Sequence, residues 1–84
     1  MPSTPKTLAK NRQSYSAAAR VEVGLEVGPW PKLERRLFVR VGAFELLAAD
    51  VSDVGRHRAK VLLARLGLED EDMQFLCRAV DALR

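Results

Sequence analysis

RVEVGLEVGPWPKLERRLFVRV, residues 20–41, decides how this chain folds. Val21, Val23, Leu25 and Val27 alternate with Arg20, Glu22, Gly24 and Glu26, and Leu37, Val39 and Val41 alternate with Arg36, Phe38 and Arg40. That period of two belongs to a pleated strand, whose successive side chains point to opposite faces. The stretch predicts two antiparallel strands joined by a turn with Pro29-Trp30-Pro31 at its tip, apolar on one face and charged on the other. A two-stranded ribbon is marginal by itself and leaves its borders unpaired, so it needs helices over its apolar face or strands from another chain.

Beyond the hairpin, Gly42 breaks the alternation, and Phe44, Leu47, Ala48 and Val51 recur at the i, i+3, i+4, i+7 spacing of a helical stripe. A short helix is expected from about Ala43 to Ala49. Ser52 or Asp53 can cap a second helix running to about Leu66, with Ala59, Leu62, Leu63 and Leu66 inward and Gly67 as a left-handed stop. Glu69, Asp70, Glu71 and Asp72 then crowd the first turn of a last helix, where the helix dipole favours negative charge. Its inner stripe reads Met73, Leu76, Cys77, Val80 and Leu83.

Before the hairpin, residues 1–15 carry Pro2, Pro5, Ser3, Thr4 and Thr7 and no apolar periodicity, the composition of a flexible arm. Tyr15 to Ala19 suits either a helical turn or the start of a strand. The expected organisation is a basic arm over 1–15 and a single α+β domain over 16–84. In that domain, two or three C-terminal helices pack on the N-terminal antiparallel hairpin.

A chain of 84 residues is one domain, of a size that removes only about 60% of its surface from water on folding. With 48% hydrophobic and 30% charged residues it is globular, and its five aromatic residues leave few large anchors. The apolar stretches fall well short of the roughly 18 residues that cross a bilayer. The amino terminus has no secretory-type apolar run, so a cytoplasmic protein without membrane attachment is expected. One cysteine forms no internal disulfide and fits a reducing compartment. Lys6, Lys10, Arg12 and Arg20 lie in residues 1–20 with no acid among them, whereas the remaining sixty-four residues nearly balance their charges. The net charge of +3 therefore sits at the amino-terminal end.

Trp30, fenced by prolines, has little freedom to lose on binding and reads either as a contact anchor or as a lid folded over the core edge. Glu22 and Glu26 face Arg36 and Arg40 across the hairpin, which makes the outer face self-neutralising. Alternatively, Arg35, Arg36 and Arg40 join Lys6, Lys10 and Arg12 in a phosphate-binding surface, with Phe38 stacking on a base. Phe38 could equally lie under the arm. Arg56, His57 and Lys60 form a second small basic patch on one helix side or an ordinary solvated face. Within its own helix His57 has Asp53 alone at ligand spacing and no Cys or Glu, too few groups for a site, so no metal or other cofactor is expected. The acids of Glu69–Asp72 lack the spaced oxygen ligands and central glycine of a calcium loop. The Ala59–Val80 stretch imitates a helix-turn-helix, but its second helix begins with four acids that phosphates would repel. No phosphate loop, catalytic triad or oriented carboxylate pair is present, so an enzyme is not expected.

Leu46-Leu47, Gly55-Arg56-His57-Arg58-Ala59, Leu66-Gly67-Leu68 and the Asp72–Leu76 segment together resemble a motif of uncharacterised small bacterial domains found near toxin and phage genes. That family's pattern reads Y-L-L, G-x-x-K-A, L-G-[FIL] and an acidic helix start. Arg58 stands here at the family's lysine and Ser52-Asp53 at a common His-Pro. The resemblance implies a phage or mobile-element setting and supplies no mechanism.

The function expected from the sequence is a non-catalytic interaction module that docks on a larger protein or assembly, or on a second copy through the hairpin edge. Trp30, Phe38, Arg36 and Arg40 are its candidate contacts. The alternative is a nucleic-acid binder using Lys6, Lys10, Arg12, Arg35, Arg36 and Arg40.

Overall fold

A computed structural model of the chain describes residues 12–28 and 34–84. The alternating stretches form β2 (Val21–Val27) and β3 (Arg35–Val41), antiparallel, with Val23 opposite Val39 and Leu25 opposite Leu37. This register gathers their apolar side chains on one face. The hairpin is the middle of a larger sheet. Arg12–Ala17 forms β1 beside β2, and Phe44–Asp50 forms β4 beside β3, giving an antiparallel meander in the order β1-β2-β3-β4. Two helices follow, α1 (Asp53–Ala64) and α2 (Asp70–Ala82). They lie side by side over the sheet, α1 against β3 and β4, α2 against β1 and β2. The architecture is α+β, one antiparallel sheet with two helices.

Two expectations are corrected. The helix expected over Ala43–Ala49 is strand β4. Phe44 pairs with Val41, Leu47 with Val39 and Ala49 with Leu37, and the register shifts between Val39 and Arg40. The three-residue step from Phe44 to Leu47, read as helical, is a β-bulge in which Leu46 is the extra residue. Gly42, at φ +61°, makes the preceding two-residue turn, where a left-handed first position favours glycine. The second correction concerns the amino-terminal arm, whose last four expected residues belong to β1. Pairing with β2 recruits Arg12–Ala17 despite a composition poor in strand formers.

Val21, Val23, Leu25, Leu37 and Val39 of the sheet meet Ala59 and Leu63 of α1, Leu76, Ala79 and Val80 of α2, and Leu83 just beyond it. Leu62, Leu66, Leu68, Met73 and Cys77 pack around them, half-buried. Ser52 caps α1, its Oγ accepting from the Gly55 N–H at 3.1 Å. The chain leaves α1 through Gly67 at φ +71°, the left-handed stop expected there. Gly55 is buried where α1 crosses the end of β4, and a Cβ at this position would lie 1.9 Å from the Asp50 carbonyl oxygen. The turn from β4 into α1 therefore depends on a residue without a side chain. No helix among the described residues is long and apolar enough to cross a membrane.

Candidate interaction site

The sheet face turned away from the helices carries the charged residues of the hairpin, and register sets them in rows. Arg12, Glu26, Arg36 and Asp50 stand opposite one another across β1 to β4, with alternating sign. Two residues further along lie Ser14, Gly24, Phe38 and Ala48, and beyond them Ser16, Glu22, Arg40 and Glu45. Arg40 Nη1 lies 3.2 Å from Glu22 Oε1, and its guanidinium sits 4.9 Å from the centroid of the Phe38 ring, a cation–π contact. Arg36 and Arg40 thus share the face with Glu22, Glu26, Glu45 and Asp50, and the described residues form no cationic stripe there.

Phe38 is not available to stack on a base. Its ring occupies the space left by Gly24, where a Cβ would lie 2.3 Å from Phe38 Cζ, and only 2% of the residue is exposed. Arg35 and Arg36 are exposed at the start of β3. Trp30, Lys6 and Lys10 lie outside the described residues, and Arg12 is placed only by its register.

The basic patch expected of Arg56, His57 and Lys60 is largely consumed between the helices. Arg56 donates from Nη2 to the Leu83 carbonyl at 2.6 Å and from Nε to the Val80 carbonyl at 3.4 Å. Lys60 Nζ lies 2.8 Å from the Asp81 carboxylate. His57 alone remains fully on the surface. Carbonyls at a helix end lack intrahelical donors, which is why a cation folds back onto them. Among the described residues, no three His, Cys, Asp or Glu side chains come together in a metal-binding group.

A different feature stands out at the border of the sheet. Among the described residues both β1 and β4 are edge strands, each with no strand paired on its outer side. β4 is interrupted by its bulge and is flanked by Glu45 and Asp50, devices that discourage strand addition. β1 pairs with β2 over six residues without a shift, so its outer border is regular. Phe44 and Leu46 are also exposed, but they belong to the bulged border.

Beside β1, on the helix side, Tyr15 and Phe75 meet edge to face, their ring centroids 6.2 Å apart at 80°. Tyr15 is 39% exposed and Phe75 44%. With Arg78, Ala79 and Ala82 they line an open groove of about 250 Å³. Arg78 has no ion-pair or hydrogen-bond partner among the described residues. Phe75 was the visible signal: it stands off the inner stripe of α2, an aromatic residue on the side meant for water. Tyr15 offers none, because the composition of Tyr15–Ala19 suits a helical turn as well as the start of a strand and so fixes no face for its ring.

Compared with known proteins, the chain matches no family model, no curated protein and no solved structure.

Proposed function

We propose that this chain is a non-catalytic protein-interaction module that docks through the β1 edge and the adjoining Tyr15–Phe75 groove. One observation carries the reading: a regular, unbulged edge strand lies directly against an exposed aromatic pair. An incoming extended segment gains main-chain hydrogen bonds along the edge, and apolar contact with the rings beside it selects its side chains. Aromatic residues on a rigid scaffold also suit contact anchors because they lose little freedom on binding. The groove's polar groups are the Tyr15 hydroxyl and the Arg78 guanidinium, which do not form a nucleophile–base pair. A phage or mobile-element setting is added by the resemblance that runs from Leu46 to Leu76.

The matched charges of the outer face leave a nucleic-acid backbone little to hold there. The docking surface is therefore the sheet border, with Arg40 already engaged by Glu22 and Phe38. A photo-cross-linking amino acid placed at position 75 in the native host tests this. A discrete adduct is expected from position 75 and none from position 57 on α1. Adducts from position 57 alone would move the docking surface elsewhere.

A further inference from the structure

We propose that the occupant of the β1 edge is a second copy of this chain, related by a twofold axis, so that two four-stranded sheets fuse into one of eight strands. This rests on the docking reading above and names its partner.

The first support is charge. Glu71, Phe75, Arg78 and Ala82 follow one another on α2 at i, i+4, i+7 and i+11, a single exposed stripe. It runs acid, aromatic, base, small. Glu71 and Arg78 have no ion-pair or hydrogen-bond partner among the described residues. Turned antiparallel to itself about the level of Phe75, the stripe sets each Glu71 against Arg78 of the other copy and brings the Phe75 rings together. An isologous interface needs this kind of self-complementary patch.

The second support is distance. Helix α2 packs evenly over β1 and β2 and so lies above the line between them. Hydrogen-bonded strands are about 4.8 Å apart, so a twofold axis midway between two β1 strands places the α2 axes about 10 Å apart, within ordinary helix-packing range. Strand pairing and helix pairing are then satisfied by one operation.

The third support is register. The Tyr15–Phe75 ring contact puts Tyr15 at the same level as the centre of the helix stripe. An antiparallel β1 pair centred on Tyr15 sets Ser14 opposite Ser16 and Gln13 opposite Ala17 of the second copy, and opposes no like charges.

Sedimentation equilibrium of the full chain, from micromolar to several hundred micromolar, tests the inference. A reversible monomer–dimer equilibrium is expected. Glu71→Arg or Arg78→Glu alone is expected to weaken association on the order of tenfold, and the two together to restore most of the loss, because the swap recreates both pairs. Both residues are exposed, and circular dichroism verifies that each variant folds. A monomer at every concentration, or a double variant no tighter than the singles, overturns the second copy. If the chain is monomeric but a cross-linker at position 75 joins it to a different host protein, edge docking stands and self-pairing falls. If it joins nothing, both fall.

Discussion

At the end of α2 the carbonyls of Val80 and Leu83 have no helical N–H to accept from, and Arg56 supplies the missing donors from α1. Hydrogen bonds from a charged donor outweigh neutral ones, so Arg56→Met, which keeps the stem and removes the donors, is expected to destabilise the protein by about 1–2 kcal/mol. Urea unfolding checks this as a lower midpoint with unchanged slope. The neighbouring Lys60–Asp81 pair is solvent-exposed and serves as the contrast: Lys60→Met should change stability by less than about 1 kcal/mol. Helical spacing placed Arg56 and Lys60 on one side of α1, but their partners lie more than twenty residues away. Local periodicity holds no trace of so distant a carbonyl. Phe38 illustrates the same gap, since it interrupts the charged face as an aromatic residue and only the strand register shows that Gly24 makes room for its ring. Gly24→Ala should therefore push the ring off its seat and destabilise by about 1–3 kcal/mol, the usual range for overpacking. A changed near-ultraviolet circular dichroism spectrum would accompany it.

Among the elements, β2 and β3 were readable because each repeats its period over a full strand, and α1 and α2 because stripe, cap and stop agree on them. The outer strands conflicted with local signals. Leu46, the extra residue in β4, moved Phe44 and Leu47 to a helical interval. In β1 the Ser and Ala residues favour other states, and the strand exists because β2 offers it a ladder. The turn between β1 and β2 retains that conflict, with Ala18 at φ 54° and Ala19 at φ 62°. A left-handed L-residue costs roughly 1–2 kcal/mol, which Asn or Gly largely avoids. The Ala18→Asn, Ala19→Gly double variant gives up some of that gain to the greater freedom of its unfolded chain, leaving about 1 kcal/mol. For a domain of this size that is a rise of about 4–8 °C in the thermal midpoint. An unchanged or lower midpoint would mean that tertiary contacts, and not the turn itself, hold those two residues.

Over the whole molecule, the division of charge separates the described fold from the segment before it. Residues 12–84 contain twelve basic and eleven acidic side chains, while Lys6 and Lys10 stand before them without an acid. On the outer sheet face, Arg36 and Arg40 stand in rows with Glu22, Glu26, Glu45 and Asp50. A phosphate binding there would meet the Glu22 carboxylate already on Arg40 and the negative charge of Glu26, Glu45 and Asp50 in the neighbouring register positions, so little counterion release is available to drive it. Retention on a polyanion column should consequently depend on residues 1–11 far more than on β3. Deleting residues 1–11 is expected to lower the eluting salt concentration clearly, whereas Arg35→Gln combined with Arg36→Gln should shift it only slightly. The reverse order would mean that β3 and its neighbours act as an open cationic surface. In that case the balance between arginines and carboxylates across the four strands would no longer describe how the sheet meets a polyanion.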